Sequence, residues 1–322
     1  MDVLSEVLRV VKLEGALFFN AEFTSPWFLV EPRAADMAPY LSPNGGHLIL
    51  YHYLIEGRAF ARLPDGRQEE LIAGDVLVIP HGDQHYLGNG SPEKPVEAMK
   101  TFAKNLTEGL KLVRFGGGGE ISKLVCGYMI CEPRLSEVFL AGLPEMLKVH
   151  IGNEPSGQWL ENSIRYSVGD DNGSDAGSGL VIAKLSELLF VETLRRYIND
   201  LPQEQTGWLA GARDPVIGKA LAVMHEDPAR QWTIEKLARS VGLSRTRLAE
   251  RFHHYMEESP IAYLTKWRLN LGAEILLSTE NSIAEIAAKV GYGSEAAFSR
   301  AFKRQFAFPP AQFRRTHQLT TV

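Results

Sequence analysis

The chain has 322 residues, 45% of them apolar, and a formal net charge of −5, which is enough for two domains that each bury a core. No apolar run approaches the roughly 20 residues of a membrane-spanning helix, and Asp2 and Glu6 stand where a secretory signal would carry only positive charge. With Cys126 and Cys131 as its only cysteines, the chain holds no disulfide framework, and it reads as a cytoplasmic protein with no membrane partner.

Residues 16–130 are short apolar or alternating runs: "ALFFNAEF", "HLILYHYLI", "RAFARL", "EELI", "DVLVIP", "EAMKTFA", "KLVRF" and "KLVCGYMI". Breaks such as "PDGR", "AGD" and "HGDQH" separate them, so they predict strands of a β-sandwich or barrel. The "GGGG" of 116–119 is a flexible loop, not a phosphate loop, because no Gly-Lys-Ser/Thr follows it. Beyond Cys131 the period becomes helical, in "RLSEVFLAGLPEML" and "QWLENSIRYSV", followed by a flexible loop over 169–179. "LVIAKLSELLFVETLRRYIND" then sets Leu185, Leu188, Leu189, Val191, Leu194 and Ile198 along a helix that must be covered, either by its own β domain or by a second copy of the chain.

The charge is uneven along the chain. Residues 215–322 carry 15 Lys and Arg against 10 Asp and Glu, and the preceding residues 19 against 29. This basic third repeats itself at a period of about 50 residues, "KLARSVGLSRTRLAERF" from Lys236 answering "EIAAKVGYGSEAAFSRAF" from Glu285. Leu237 matches Ile286, Ala238 matches Ala287, Gly242 matches Gly291, Leu248 matches Phe298 and Phe252 matches Phe302. Each copy is a helix, a glycine turn and a Ser-capped basic helix, the pattern of a helix-turn-helix, over about 233–254 and 282–304. Two such motifs in register, in the basic part of the chain, point to double-stranded DNA. Between them "SPIAYLTKWRLNLGAEILLS" predicts a helix about 30 Å long, close to one turn of B-DNA at about 34 Å.

Over roughly a hundred residues, through "SPIAYL", the Arg268-Leu269 pair, "IAEIAAKVGY", "FSRAFKRQF" and the closing "FRR", this text resembles the AraC/XylS family of bacterial transcription regulators. It departs from that pattern in "FAFPP", with Ala307 where the family has Gly and Pro309 where it has Ser. The resemblance implies a regulator of promoter DNA, an activator or a repressor, that also contacts RNA polymerase. Outward positions of the second helices suit base edges: Arg245, Thr246, Ala249 and Glu250 in the first, Glu295, Ala296, Ser299 and Arg300 in the second, with the helix-starting Ser294 also at the DNA-binding surface. Arg247, Arg251, Lys303 and Arg304 suit phosphates. For any one of these residues, a solvated helix face is the other reading.

The first half should do the sensing. "GDVLVIPHGDQHYLGN" has the spacing Gly74, Pro80, Gly82, His85, Asn89 of the second cupin motif, and so resembles the cupin superfamily, small β-barrels with an internal pocket for a small-molecule effector. The first cupin metal motif is broken: counting back from Gly57, its glutamate position holds Leu50 and its histidine positions fall in "PNGG". His52, His81, His85 and Cys126 could together make a closed zinc site. The other reading is a hydrogen-bonded interior His52, a core Cys126 and two turn histidines. The expected architecture is multidomain α+β: a cupin-like β-barrel with helices that senses and dimerises (1–200), a linker (201–214), and an all-α DNA-binding domain with two helix-turn-helix motifs (215–322). The rival reading is a metal-dependent cupin enzyme fused to a DNA-binding domain.

Overall fold

The computed structural model describes residues 4–5, 8, 14–41, 46–90, 94–107, 112–131, 140, 142–152, 154–168, 177–202 and 204–318. Contacts divide the chain into two units, one of Leu13–Cys131 with Leu143–Asp200, the other holding Leu201–Val322.

The N-terminal unit is built from β1 (Glu14–Thr24), β2 (Trp27–Glu31), β3 (His47–Glu56), β4 (Arg58–Arg62), β5 (Gln68–Ile72), β6 (Asp75–Ile79), β7 (His85–Asn89), β8 (Val96–Glu97), β9 (Leu112–Gly116), β10 (Ile121–Cys131) and β11 (Leu147–His150). Among the described residues these form a six-stranded sheet, β11-β6-β3-β10-β1-β9, and a five-stranded sheet, β5-β4-β7-β2-β8. The alternation of each strand decides what lies between them. Leu48, Leu50 and Leu54 of β3 and Leu124 and Cys126 of β10 meet Trp27, Leu29, Ala59, Ala61 and Leu87 of the other sheet in one core. The β domain is therefore two facing sheets and not the closed barrel of the sequence expectation. At the turn into β7, Gly82 has φ 69° and a Cβ there would meet the Ala34 Cβ at 2.4 Å, so only glycine lets this turn bring His85 inward.

The helices correct the sequence reading in places. "AADMAPYL" forms α1 (Ala34–Leu41), and "EAMKTFA", read as a strand, lies mostly in α2 (Ala98–Thr107). Its apolar residues Ala98, Met99 and Phe102 fit one helix face as well as a short buried strand, which is the ambiguity that short runs carry. β2, in "WFLVE", went unread. The predicted helices α3 (Pro155–Ser167) and α4 (Ser178–Asp200) are present, and Ile182, Leu185, Leu189, Phe190 and Leu194 of α4 are buried. α4 packs on β1 and β10, and the Tyr51 hydroxyl of β3 bonds its Ser186, so its own sheet covers most of its apolar surface. Leu180, Val181 and Leu188 remain exposed, as do Trp159 and Tyr166 of α3. The loop of 169–176 and residues 134–139 and 141 of the expected "RLSEVFLAGLPEML" helix lie outside the described residues, and the end of that segment, 142–146, is a turn that leads into β11 instead of helix.

The C-terminal unit is helical: α5 (Trp208–Arg213), α6 (Pro215–Glu226), α7 (Ile234–Ser240), α8 (Arg245–Met256), α9 (Pro260–Ser278), α10 (Ile283–Lys289), α11 (Glu295–Phe306) and α12 (Pro310–Gln318). The segment read as a linker thus contains α5, with Trp208, Leu209 and Ala210 buried against α6 and α8. No described helix is long and apolar enough to cross a membrane.

Candidate nucleic-acid interface and sensing site

The two copies of the repeat share atomic details. Thr233 caps α7 by accepting from the Lys236 amide at 3.3 Å, and Ser282 caps α10 within a full capping box with Glu285. Each first helix ends at a left-handed glycine, Gly242 (φ 74°) or Gly291 (φ 85°). The amide after each glycine donates five residues back, Leu243 to the Ala238 carbonyl at 2.9 Å and Tyr292 to Ala287 at 2.8 Å. Ser244 and Ser294 then cap α8 and α11 by accepting from the Arg247 and Ala297 amides. Leu248 and Phe252, and their counterparts Phe298 and Phe302, are fully buried. Both second helices end in a non-glycine residue at positive φ, Glu257 (56°) and Ala307 (64°).

Burying one face presents the other. Arg245, Thr246, Arg247, Glu250 and Arg251 of α8 are exposed, with Ala249 partly so; Glu295, Ala296, Arg300, Lys303 and Arg304 of α11 and its cap Ser294 are exposed, with Ser299 partly so. Two of these arginines have carboxylate partners in the protein. Arg245 pairs with exposed Glu235 at 3.3 Å. Arg251, expected at phosphate, places Nε 3.1 and 3.2 Å from the two carboxylate oxygens of Asp214, and its Nη2 reaches the same group. Asp214 also accepts from the Val216 and Ile217 amides as the cap of α6, so Arg251 ties α8 to the start of that helix. Burial works to raise the Asp214 carboxyl, but Arg251 and the two amides outweigh it and hold it below the usual range. Sequence reasoning passed over Asp214, although Asp immediately before Pro215 is a helix-start signal.

Two motif arginines turn out to be structural clasps. On α9, which carries both motifs, Arg268 donates to the Pro228 and Arg230 carbonyls at 2.6 and 2.8 Å. Arg314 of the closing "FRR" donates to the Leu276 and Asn281 carbonyls at 2.9 and 2.6 Å, fastening α12 over the end of α9.

In the N-terminal unit, register pairs Cys126 with His52 and Glu31 with His85. His52 Nδ1 lies 2.9 Å from Cys126 Sγ, His52 Nε2 lies 2.7 Å from His85 Nε2, and His85 Nδ1 lies 3.0 Å from the Asp83 carbonyl. A carbonyl only accepts, so the protons follow: His85 Nδ1–H donates to Asp83, His52 Nε2–H to His85, and the Cys126 thiol to His52. Burial supports this neutral chain. It lowers His52 well below its ordinary value and His85 to about 4, and raises the Cys126 thiol well above its own.

The four residues considered for zinc are therefore only partly brought together. His81 donates instead to the Leu143 carbonyl at 3.1 Å. His52 offers Cys126 and His85 opposite ring nitrogens, which diverge and cannot bind one ion, and no group of three or more His, Cys, Asp or Glu among the described residues is arranged to hold a metal. As placed, these donors do not fit a closed zinc site. Beside them the inward end of β2 brings up Glu31, which sequence reasoning missed because its strand was unread; burial raises its carboxyl to about 7.

Comparison with known proteins matches a cupin family model over residues 2–199 and a helix-turn-helix domain model over 237–316. A putative AraC-like transcription regulator of Streptomyces lividans is 33% identical over 255 residues, 78% of this chain and 82% of that protein. The HTH-type transcriptional regulator AlkR of Acinetobacter baylyi is 29% identical over 318 residues, 98% of this chain and 99% of its own length. Among solved structures, the DNA-binding domain of AdpA in complex with a target DNA is 26% identical, covering 33% of this chain and 95% of that one with a TM-score of 0.32.

Proposed function

Starting from the premise that this chain belongs to the AraC-like transcription regulators, with a cupin domain ahead of its helix-turn-helix domain, we propose how its parts divide the work. The observation that carries the proposal is the duplicated motif, two Ser-capped basic helices, each entered through a left-handed glycine turn, joined by one connecting helix. α9 has 19 residues, about 28 Å at 1.5 Å per residue, near the pitch that separates successive major grooves. The exposed edges of α8 and α11 read bases, with Arg245, Thr246, Ala249 and Glu250 on one half-site and Glu295, Ala296, Ser299 and Arg300 on the other. Arg247, Lys303 and Arg304 hold phosphates, while Ser294 positions the helix start.

The N-terminal unit, in this reading, takes a small-molecule effector in the cytoplasm. A second copy covers the exposed Trp159, Tyr166, Leu180, Val181 and Leu188 of α3 and α4, giving a homodimer that presents DNA domains to a promoter and to RNA polymerase. The effector acts through its differential affinity for two arrangements of that assembly.

Arg300→Ala tests the base-reading role. Specific binding falls by about 1–3 kcal/mol and preference relaxes at one base position, measured by titration of specific and random duplexes. Equal loss on both duplexes removes the role. Genomic footprinting in the host locates the promoters, and their neighbouring genes give the effector's chemistry.

A further inference from the structure

A carboxyl group with no counter-charge among the described residues lies at the inner cleft of the N-terminal unit. On β2, Trp27 and Leu29 project into the core, and Glu31 continues the same alternation. It forms no ion pair or hydrogen bond among the described residues, although every inward-facing polar neighbour, His52, His85 and Cys126, is bonded to another. The narrow cleft beside it is lined by Phe19, Met37, Met99, Phe102 and Cys126 and as it stands encloses about 20 Å³, room for about one water. Phe19 and Phe102 stand 5.1 Å apart between centroids and give the wall aromatic faces.

An ionised carboxylate drawn largely out of water is costly unless a cation meets it, and no group among the described residues does so here. An aromatic wall favours a cation a second time, through the negative faces of its rings. An anionic ligand would meet the carboxylate head-on, and a neutral alcohol would bring it no counter-charge. The thioethers of Met37 and Met99 are unbranched and adaptable, so a narrow cleft can widen around a slim chain. We propose that this cleft binds a small organic cation, an unbranched primary amine whose ammonium group meets Glu31 while its carbon chain lies among Phe19, Phe102, Met37 and Met99. This rests on the reading of the N-terminal unit as the sensing half. Burial, which raises the Glu31 carboxyl to about 7, agrees with a site tuned to be ionised by its ligand.

The experiment uses the full-length protein with hexylamine, 1-hexanol and hexanoate, followed by thermal shift and calorimetric titration at pH 7.5. Hexylamine raises the melting temperature and binds at least tenfold more tightly than the other two, and butylamine binds more weakly than hexylamine. Glu31→Gln loses the hexylamine response by tenfold or more and, having no charge to desolvate, melts no lower than wild type. The three-ligand comparison stands without this variant should it fold poorly. Undiminished hexylamine binding by Glu31→Gln overturns the proposal. Preferential binding of hexanol or hexanoate also overturns it and leaves the sensing role standing. Absence of binding by all three removes the amine site, and the sensing role then depends on the ligand that footprinting names.

Discussion

Glycine at the two turns of the repeat was legible in the sequence, but its two copies are not equivalent. Both Gly242 and Gly291 hold positive φ, so any side chain there costs about 1–2 kcal/mol of left-handed strain. A Cβ at Gly242 meets nothing within 4 Å, whereas at Gly291 it meets the Cα and carbonyl oxygen of Ala229 at 2.8 Å. Gly291→Ala therefore destabilises by about 1–3 kcal/mol more than Gly242→Ala, read as the difference in urea midpoints. The departure at Ala307 has the opposite sign. Ala307 sits at φ 64°, so Ala307→Gly relieves strain and stabilises by about 1 kcal/mol. Two residues on, Pro309 occupies the cap of α12, where its carbonyl accepts from Phe313 at 2.9 Å but its ring offers the helix start no acceptor. In the first copy Ser259 does this for α9, accepting from Ala262 at 3.2 Å. What the sequence could not disclose was the partner of each arginine. Arg251 and Arg247 look alike on a basic face, and only the fold brings Asp214, 37 positions away, to one of them.

At the scale of elements, long periodic segments were readable and short ones were not. α4 and α9 carry enough turns to fix their period, while the seven residues of "EAMKTFA" fit a buried strand and a helix equally, and tertiary packing against Phe19 and Phe23 decided for helix. The candidate site followed the same rule. The cupin spacing found His85, but Glu31 belongs to a strand that only its pairing with β7 and β8 identifies. The joint between α6 and α8 gives the prediction that belongs here. Asp214→Ala removes the cap of α6 and the partner of Arg251, costing about 1–2 kcal/mol near neutral pH. Because the folded carboxyl is held below its unfolded value of 3.8, its contribution is present above that pH and is lost as pH falls through the folded value. Denaturant unfolding should show the gap between wild type and Asp214→Ala at pH 7 and a smaller gap at pH 3.

For the whole molecule, two consequences of burial can be measured. His85 (about 4) and His225 (about 3) are kept neutral by burial, as is His52, so the unfolded chain binds more protons than the folded one below pH 6.5. Stability is therefore retained above that pH and lost on acidification towards the folded values, at about 1.4 kcal/mol per pH unit per histidine. His225→Phe should flatten the acid limb of C-terminal unfolding by one proton, as followed by Trp fluorescence. The position of the domain boundary is the second consequence. Composition marks 201–214 as a linker because Pro, Gln and Gly dominate its start, yet Trp208 is buried there and its indole N–H donates to the Tyr263 hydroxyl at 2.9 Å. That hydroxyl in turn donates to His225 Nε2 at 2.9 Å, and the His225 ring stacks on Trp267 with centroids 4.0 Å apart. A fragment starting at residue 212 keeps Asp214 but loses Trp208, leaving a hole beside Tyr263 and a hydroxyl without its donor. Loss of a buried Trp costs about 3–5 kcal/mol, most of the stability of a domain of this size. The 201–322 fragment should thus unfold cooperatively and bind promoter DNA at room temperature, while 212–322 unfolds at a much lower urea concentration and binds only when cooled. Equal urea midpoints for the two would place the boundary after α5 and reduce Trp208 to a passenger of the linker.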